Sequence, residues 1–350
     1  MARANDLPRR PSGAKEPLPN PCLEAASMPV IINSQEIHPF LPSLGSPLAI
    51  ERARAERQDI RPLEIAIINL MADKIATERQ LALWLGATML QVNLSFVATD
   101  SYVRGVAAGR QPRNTPAEHI RKFYSAFSEI SPRRFDGLII SGVNALKPRV
   151  EEEAIWPEVA EILEWSTANA FSSLFLCWGA KAALKFFHDI DSHKAEQKLF
   201  GLFEHRLLSD KTGLFFGFPD RFSAPVSRWK SPRREDIARV AAIEIVADSE
   251  EAGPNMLVEA ANGGGAAPFP QRVYVLNHPE YETETLAAEY FRDSADNPSC
   301  PLPRHYFPGD DPSQPAPNVW RHTAHLYTNW VKAVYEATPY DLTDVPTRGR

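Results

Sequence analysis

Short apolar runs alternate with segments of helical spacing along most of the chain. Strands are predicted at LEIAIINL, LQVNLSF, FDGLIISG, SSLFLC and RVYVL. Most of these runs are apolar at successive positions, which is typical of strands covered on both faces. Helices are predicted between them at KIATERQLALWLG, EEEAIWPEVAEILEWSTAN, TETLAAEYFRD and HLYTNWVKAVYEA. This alternation predicts an α/β fold: an open, mostly parallel sheet with helices on both faces.

The start of one further helix carries its own local signal in NTPAE. Thr115 is expected to cap this helix, with Pro116 at the first helical position. Glu118 is expected to complete a capping box.

The chain divides by composition into three parts. Residues 1–27 are rich in Pro, Arg and Ala, and they are predicted to be a disordered extension because they offer little apolar surface to bury. Residues 28–342 are predicted to form the folded domain, and residues 343–350 a C-terminal tail. The 350 residues are 44% apolar, enough to bury a sizeable core.

Charge and cysteine content exclude several classes of function. The net charge of −6 gives no basic face for nucleic acid, and no apolar run is long enough to cross a membrane. Three scattered cysteines, Cys22, Cys177 and Cys300, form no disulfide framework and indicate a reducing cytoplasm. No Cys or His spacing suggests a metal site, and no bound cofactor is expected.

The segment SSLFLCWGAKAAL resembles a nucleophile elbow, in which a strand ends at a reactive side chain and a helix follows. The helix N-terminus favours the thiolate of Cys177. The amide of Trp178, with a second amide near Gly142 and Val143, is expected to stabilise an oxyanion. A cysteine at a strand end is more often simply packed in the core, so the segment alone does not decide for catalysis.

The segment LNHPEY supplies a candidate base and its orienting partner. His278 and Glu280 lie two residues apart after a strand, so an extended backbone points both side chains the same way. The other histidines lack this context, and His188, His193 and His205 are expected on the surface.

Taken together, these segments resemble the homoserine O-acyltransferases of methionine biosynthesis, which have a class I glutamine amidotransferase-like (flavodoxin-like) architecture. The resemblance runs from about residue 28 to about residue 342. It is carried in order by RPLEIAIINLMADKIATE, LQVNLSF, RNTPAEHIRKFY, FDGLIISG, SSLFLCWGAKAAL, APVSR, NHPEY, AAEYFRD and TPYDL.

The resemblance implies a role for each matching residue. Cys177 matches the nucleophile, His278 the general base and Glu280 its partner. Contacts to the amino-acid substrate are implied for Lys198, Ser227 and Arg292. The implied substrates are an acyl-CoA and L-homoserine, and a homodimer is one arrangement that the sequence leaves open.

Several departures from the family pattern surround the site. Leu146 occupies the position that governs the acyl donor, and its uncharged bulk slightly favours acetyl while leaving succinyl open. Lys181 replaces the usual Gln, either to lower the pKa of Cys177 or as a solvated charge. Asn277 replaces a Gly. The segment YVRGVAAGRQP is predicted to be an insertion beside the active-site end of the sheet.

Three other functions stay open from the sequence. The acceptor could be serine or another hydroxy amino acid. A glutamine-hydrolysing amidotransferase is a second alternative. Lys181 makes it less favoured, because that class normally has Gln at this position. A catalytically silent metabolite-binding protein is the third.

Overall fold

The computed structural model describes residues 61–261 and 269–345, together with the backbone of two short strands nearer the N-terminus. The predicted disordered extension over residues 1–27, which includes Cys22, lies outside the described residues. So do residues 346–350 of the predicted tail.

The described strands form one twelve-stranded sheet. In chain order they are β1 (Val30–Ile32), β2 (Ala49–Glu51), β3 (Leu63–Ile68), β4 (Val92–Ala98), β5 (Ser125–Ala126), β6 (Phe135–Ile140), β7 (Ala170–Leu176), β8 (Ser192–Leu207), β9 (Arg221–Pro232), β10 (Ile243–Ser249), β11 (Gly253–Ala261) and β12 (Phe269–Val275). Their order in the sheet is β2-β1-β4-β3-β6-β7-β12-β11-β10-β8-β9, and β5 pairs with β4.

The sheet has a parallel part and an antiparallel extension. From β2 to β12 every neighbouring pair is parallel. From β12 to β9 every neighbouring pair is antiparallel. The open, mostly parallel sheet predicted from the sequence is confirmed, whereas the strands of the extension were not predicted.

Helices cover both faces of the parallel part. The described helices are α1 (Lys74–Leu85), α2 (Asp100–Ala107), α3 (Ala117–Phe123), α4 (Phe127–Ile130), α5 (Trp156–Asn169), α6 (Trp178–His188), α7 (Arg234–Ala238), α8 (Thr285–Asp296) and α9 (His325–Ala337). Along β3, Ile65 and Ile67 pack in one core cluster with residues of α1 and α9. Ala66 and Ile68 pack in the other with residues of α5 and α6. Successive side chains of a strand point to opposite faces, which explains why residues 65–68 are apolar at every position.

The carboxyl ends of the parallel strands meet at one edge, and the backbone ladder continues one residue beyond them. The amide of Ser141 donates to the carbonyl of Ile68 at 3.0 Å, and the amide of Cys177 donates to that of Val275 at 2.7 Å. Since β6 and β7 are parallel neighbours, the first residues after them lie side by side.

The predicted cap at Thr115 is wrong. Helix α3 begins at Ala117, and no side chain caps it. The hydroxyl of Thr115 instead accepts from the amide of Lys74 at 3.1 Å and donates to the carbonyl of Ala72 at 3.2 Å. The hydroxyl that would have capped α3 is instead used in a tertiary contact with the start of α1. Among the described helices, none is long and apolar enough to cross a membrane.

Candidate active site

Cys177 occupies a sharp turn between β7 and α6. Its φ of 50° and ψ of −108° are rare for a residue with a side chain. A Cβ on Gly179 would lie 2.6 Å from the carbonyl oxygen of Ile140 and 2.8 Å from that of Ser141. Only glycine therefore lets the start of α6 approach the end of β6 so closely. This strand–turn–helix geometry is that of a nucleophile elbow, with the thiol at a helix N-terminus.

His278, just beyond the end of β12, interacts with the thiol of Cys177 through a side-chain hydrogen bond. Its Nδ1 lies 2.8 Å from Oε1 of Glu280, and the hydroxyl of Tyr327 donates to Oε2 of the same carboxylate at 2.9 Å. The ring of Tyr281 stacks on the imidazole with centroids 4.2 Å apart. All five side chains are buried. The structure thus brings the three predicted catalytic residues together in one chain of contacts.

The charges of this group favour a thiolate beside an imidazolium. Burial disfavours ionisation of Cys177, but the positive charges of Lys181 and His278 outweigh it and lower the pKa to about 6. Burial likewise disfavours the charged form of His278, but the thiolate and the Glu280 carboxylate raise its pKa to about 10. At neutral pH the proton therefore resides on His278, and the nucleophile is already in its reactive form.

The loop after β6 touches the elbow. A Cβ on Gly142 would lie 3.2 Å from Cβ of Cys177 and 3.5 Å from the amide nitrogen of Trp178. Val143 follows in the same loop and is half-buried. The side chain of Leu146 is 82% exposed, so its bulk lies in solvent.

The three residues implied in substrate binding surround two acids of α8. The hydroxyl of Ser227 donates to Oε2 of Glu289 at 2.6 Å. Nζ of Lys198 lies 3.2 Å from Asp293 and 3.9 Å from Glu289. Nε of Arg292 donates to Asp293 at 2.9 Å, although the Arg292 side chain is 63% exposed.

This acidic pair also connects to the catalytic histidine. The hydroxyl of Tyr281, whose ring stacks on His278, donates to Oε1 of Glu289 at 2.7 Å. Glu289 thus joins the residues implied in substrate binding to the base. The sequence analysis did not single it out, because an acid on an amphipathic helix has the pattern of a solvated face.

Two buried cations lie beside the nucleophile. Lys181, one helical turn after Cys177, is only 6% exposed, and Arg228 is 3% exposed. The interpretation of Lys181 as a solvated charge is therefore wrong. Both lower the pKa of Cys177 through their positive charge. Arg228 is held by Oγ of Ser231 at 2.8 Å and by backbone carbonyls.

Comparison with known proteins identifies the family. A family model described as homoserine O-succinyltransferase matches residues 38–340. The chain belongs to this family. A homoserine O-acetyltransferase of Chelativorans sp. (strain BNC1) is 41% identical over 294 residues, 84% of this chain and 89% of that one. One of Thermotoga petrophila is 42% identical over 294 residues, 83% of this chain and 91% of that one.

Among solved structures, a glutamine amidotransferase from Thermotoga maritima aligns with a TM-score of 0.46 and 12% identity. The alignment covers 79% of this chain and 97% of that one.

A second buried cluster of this acyltransferase lies at the neighbouring strand end. Nζ of Lys74 donates to the carbonyl of Asn69, and burial lowers the pKa of Lys74 to about 8 although Glu78 opposes the shift. The amide of Asn69 donates to the hydroxyl of Tyr124 at 2.8 Å, and this hydroxyl donates to Glu78. The hydroxyl of Ser141 reaches Oδ1 of Asn69 at 3.5 Å. The sequence analysis missed this cluster, since Lys and Glu on a helix resemble an exposed face.

His205 is not at the surface of the enzyme, as the sequence analysis expected, but is 1% exposed. Its Nδ1 lies 2.8 Å from the carbonyl of Phe203, and its Nε2 lies 2.9 Å from Nδ2 of Asn277. Burial and the charge of Arg228 lower its pKa to about 3, so the ring is neutral. His188 is also largely buried and lies 3.0 Å from Glu259.

Proposed function

We propose that this enzyme transfers an acyl group from an acyl-CoA to the hydroxyl of L-homoserine through a thioester on Cys177, in methionine biosynthesis. The observation that carries the proposal is the contact of a strained, buried cysteine with a histidine held by Glu280. The mechanism requires Cys177 as a free thiol, and the reducing cytoplasm is the compartment that we propose.

In the first half-reaction, the Cys177 thiolate attacks the carbonyl carbon of the acyl-CoA. The backbone amides of Val143 and Trp178 stabilise the oxyanion that forms. The bond from the carbonyl carbon to the coenzyme A sulfur then breaks. The imidazolium of His278 gives its proton to the departing sulfur, which leaves as the thiol. This leaves a neutral imidazole beside an acylated cysteine.

In the second half-reaction, the neutral imidazole of His278 accepts the proton of the homoserine hydroxyl. The oxygen attacks the thioester carbonyl, the bond to the Cys177 sulfur breaks, and the ester is released. The thiolate and the imidazolium are thereby restored. Glu280 stays ionised throughout and holds the imidazole in position.

The side chains around α8 carry charges that complement the ammonium and the carboxylate of an amino acid. We assign the ammonium of homoserine to Glu289, with Ser227 as a polar neighbour, and its carboxylate to Lys198 and Arg292. Since Tyr281 bridges Glu289 and His278, an amino acid bound there lies close to the base.

The test is a competition between donors with the product identified by mass. The enzyme is incubated with L-homoserine and equal acetyl-CoA and succinyl-CoA, and L-serine replaces homoserine in a parallel reaction. We expect an O-acyl homoserine, little O-acyl serine, and no product from Cys177→Ala. Ester formation by Cys177→Ala, or a preference for serine, would overturn the proposal.

A further inference from the structure

The cations around Cys177 lack acidic partners. The side chain of Lys181 makes one hydrogen bond, from Nζ to the carbonyl of Lys230 at 3.4 Å, and Nζ of Lys230 donates to the carbonyl of Lys147. Arg228 bonds only neutral groups. Within the described residues, no Asp or Glu forms an ion pair with Lys181, Arg228 or Lys230. Elsewhere on the same helix the pattern differs, because Lys185 pairs with Glu151, Asp189 and Asp191.

The catalytic residues offset these cations only in part, because the thiolate, the imidazolium and the Glu280 carboxylate together carry one negative charge against the two positive charges of Lys181 and Arg228. The Cys177 thiolate is matched by the His278 imidazolium, and that imidazolium also contacts the Glu280 carboxylate. The thiolate therefore interacts with three cations: Lys181, Arg228 and the His278 imidazolium. Buried charges without a partner are costly, so a site of this kind favours the binding of an anion.

Acylation leaves the total charge of the group unchanged, because His278 loses its proton in the same half-reaction, but it removes the anion that faces Lys181 and Arg228. A thioester is neutral, so the thiolate charge that Lys181 and Arg228 face disappears when Cys177 is acylated. An acetyl group would leave both buried cations without an anion. An acyl group with its own terminal carboxylate would restore the lost negative charge in the same place.

We propose that Lys181 binds the terminal carboxylate of a dicarboxylic acyl donor, such as the succinyl group of succinyl-CoA. The inference rests on the proposed function of Cys177. Lys181 lies one turn after Cys177, since its amide donates to the Cys177 carbonyl at 3.2 Å, and its positive charge acts directly on the Cys177 thiolate. Leu146 presents no opposing charge, and its side chain lies in solvent. The slight preference for acetyl that the bulk of Leu146 predicts stays a prediction, and the experiment below decides between the two donors.

The test compares kcat/KM for succinyl-CoA and butyryl-CoA, which have acyl chains of four carbons but differ in the carboxylate. Acetyl-CoA serves as the reference donor for the chemical step. In the wild-type enzyme we expect succinyl-CoA to be preferred to butyryl-CoA. In Lys181→Gln the ratio should fall by roughly 10- to 100-fold, the effect of one hydrogen bond between charged groups.

Two further variants control for indirect effects. Lys181→Arg keeps the charge and should retain much of the preference. Lys185→Gln removes a lysine of the same helix that already has acidic partners, and should leave the ratio unchanged. Any effect of Lys181 on the thiolate alone would slow all donors equally and cancel in the ratio.

The outcomes separate the inference from the proposed function. Turnover of acetyl-CoA with an unchanged succinyl-to-butyryl ratio in Lys181→Gln would overturn the inference and leave the proposed function standing. Absence of a succinyl preference in the wild-type enzyme would do the same. Failure of every thioester to acylate wild-type Cys177 would overturn both.

Discussion

Single residues set the reactivity of this site through their charges. The thiol of Cys177 is buried, which alone would make it less acidic. Lys181 and His278 reverse that effect, and Glu280 helps to keep His278 charged. The nucleophile is therefore already ionised, as a Cys177 thiolate paired with the His278 imidazolium. No separate deprotonation step is needed when the acyl donor arrives.

The rate of alkylation of Cys177 by iodoacetamide should rise with an apparent pKa near 6. The thiolate is the reactive form, and a pKa lowered from 9.0 to about 6 means that it predominates above pH 6. In His278→Ala the midpoint should move upward, because a positive charge beside the sulfur is lost. Peptide mapping separates Cys177 from Cys22 and Cys300. A wild-type midpoint near 9 would show that the ion pair does not form.

At the scale of elements, the turn from β7 to α6 depends on close backbone packing. Gly179 lets α6 begin directly against the carbonyls that end β6, and Gly142 lets the loop after β6 pass beside Cys177. The two glycines fix the position of the sulfur relative to the amides of Val143 and Trp178. Small residues are therefore required on both sides of the nucleophile.

Gly179→Ala should lower both stability and activity. Its Cβ would meet two backbone oxygens at under 3 Å, so β6 and α6 must separate. We expect a loss of about 1–3 kcal/mol in the free energy of unfolding, measured with urea, and a lower kcat.

Gly105→Ala is the matched control. It also lies in a helix, but its Cβ would meet only the flexible Arg110 side chain, with Cδ at 3.2 Å. Its stability should change by less than about 1 kcal/mol. Equal stability and activity of Gly179→Ala and wild type would show that the turn tolerates a side chain.

The parallel strands and the cysteine turn could be predicted from the sequence because their signals are local. The largely apolar runs of β3 and β6 reflect burial on both faces, and the run ending at Cys177 is followed by small residues. The antiparallel extension gives no such signal. The first half of β8 is mostly polar and contains no fully buried residue, and its partner β9 is defined only by its pairing with β8.

The burial of ionisable residues could not be predicted for the same reason. Lys74, Lys181 and His205 each have a sequence context typical of an exposed helix or strand. Their burial depends on partners far along the chain, such as Tyr124 near Lys74 and Asn277 against His205. Local spacing contains no information about these contacts.

At the scale of the whole molecule, a charged junction holds the sheet at the end opposite the site. Asp136, at the start of β6, is fully buried. Both of its oxygens accept from the guanidinium of Arg61 at 2.8 Å, and the amide of Glu64 donates to it at the same distance. The hydroxyl of Thr338, just after α9, donates at 2.7 Å. One carboxylate thereby joins β3, β6 and the end of α9.

Asp136→Ala should destabilise the fold without altering the chemistry. Removal of the carboxylate leaves a guanidinium, an amide and a hydroxyl without their acceptor, at a cost of about 3 kcal/mol in urea unfolding. Since the site lies at the other ends of the strands, kcat of the folded variant should match wild type. As a control, Arg133→Gln removes an exposed pair with Glu64 and should cost less than about 1 kcal/mol. Equal stability of the two variants would contradict this role of Asp136.

The most direct test of the account is the mass of the enzyme after mixing with an acyl-CoA in the absence of any amino acid. We predict an increase equal to one acyl group, located on the peptide that contains Cys177, absent in Cys177→Ala and lost when homoserine is added. An unmodified wild-type protein that nevertheless forms the ester when both substrates are present would contradict a covalent Cys177 intermediate.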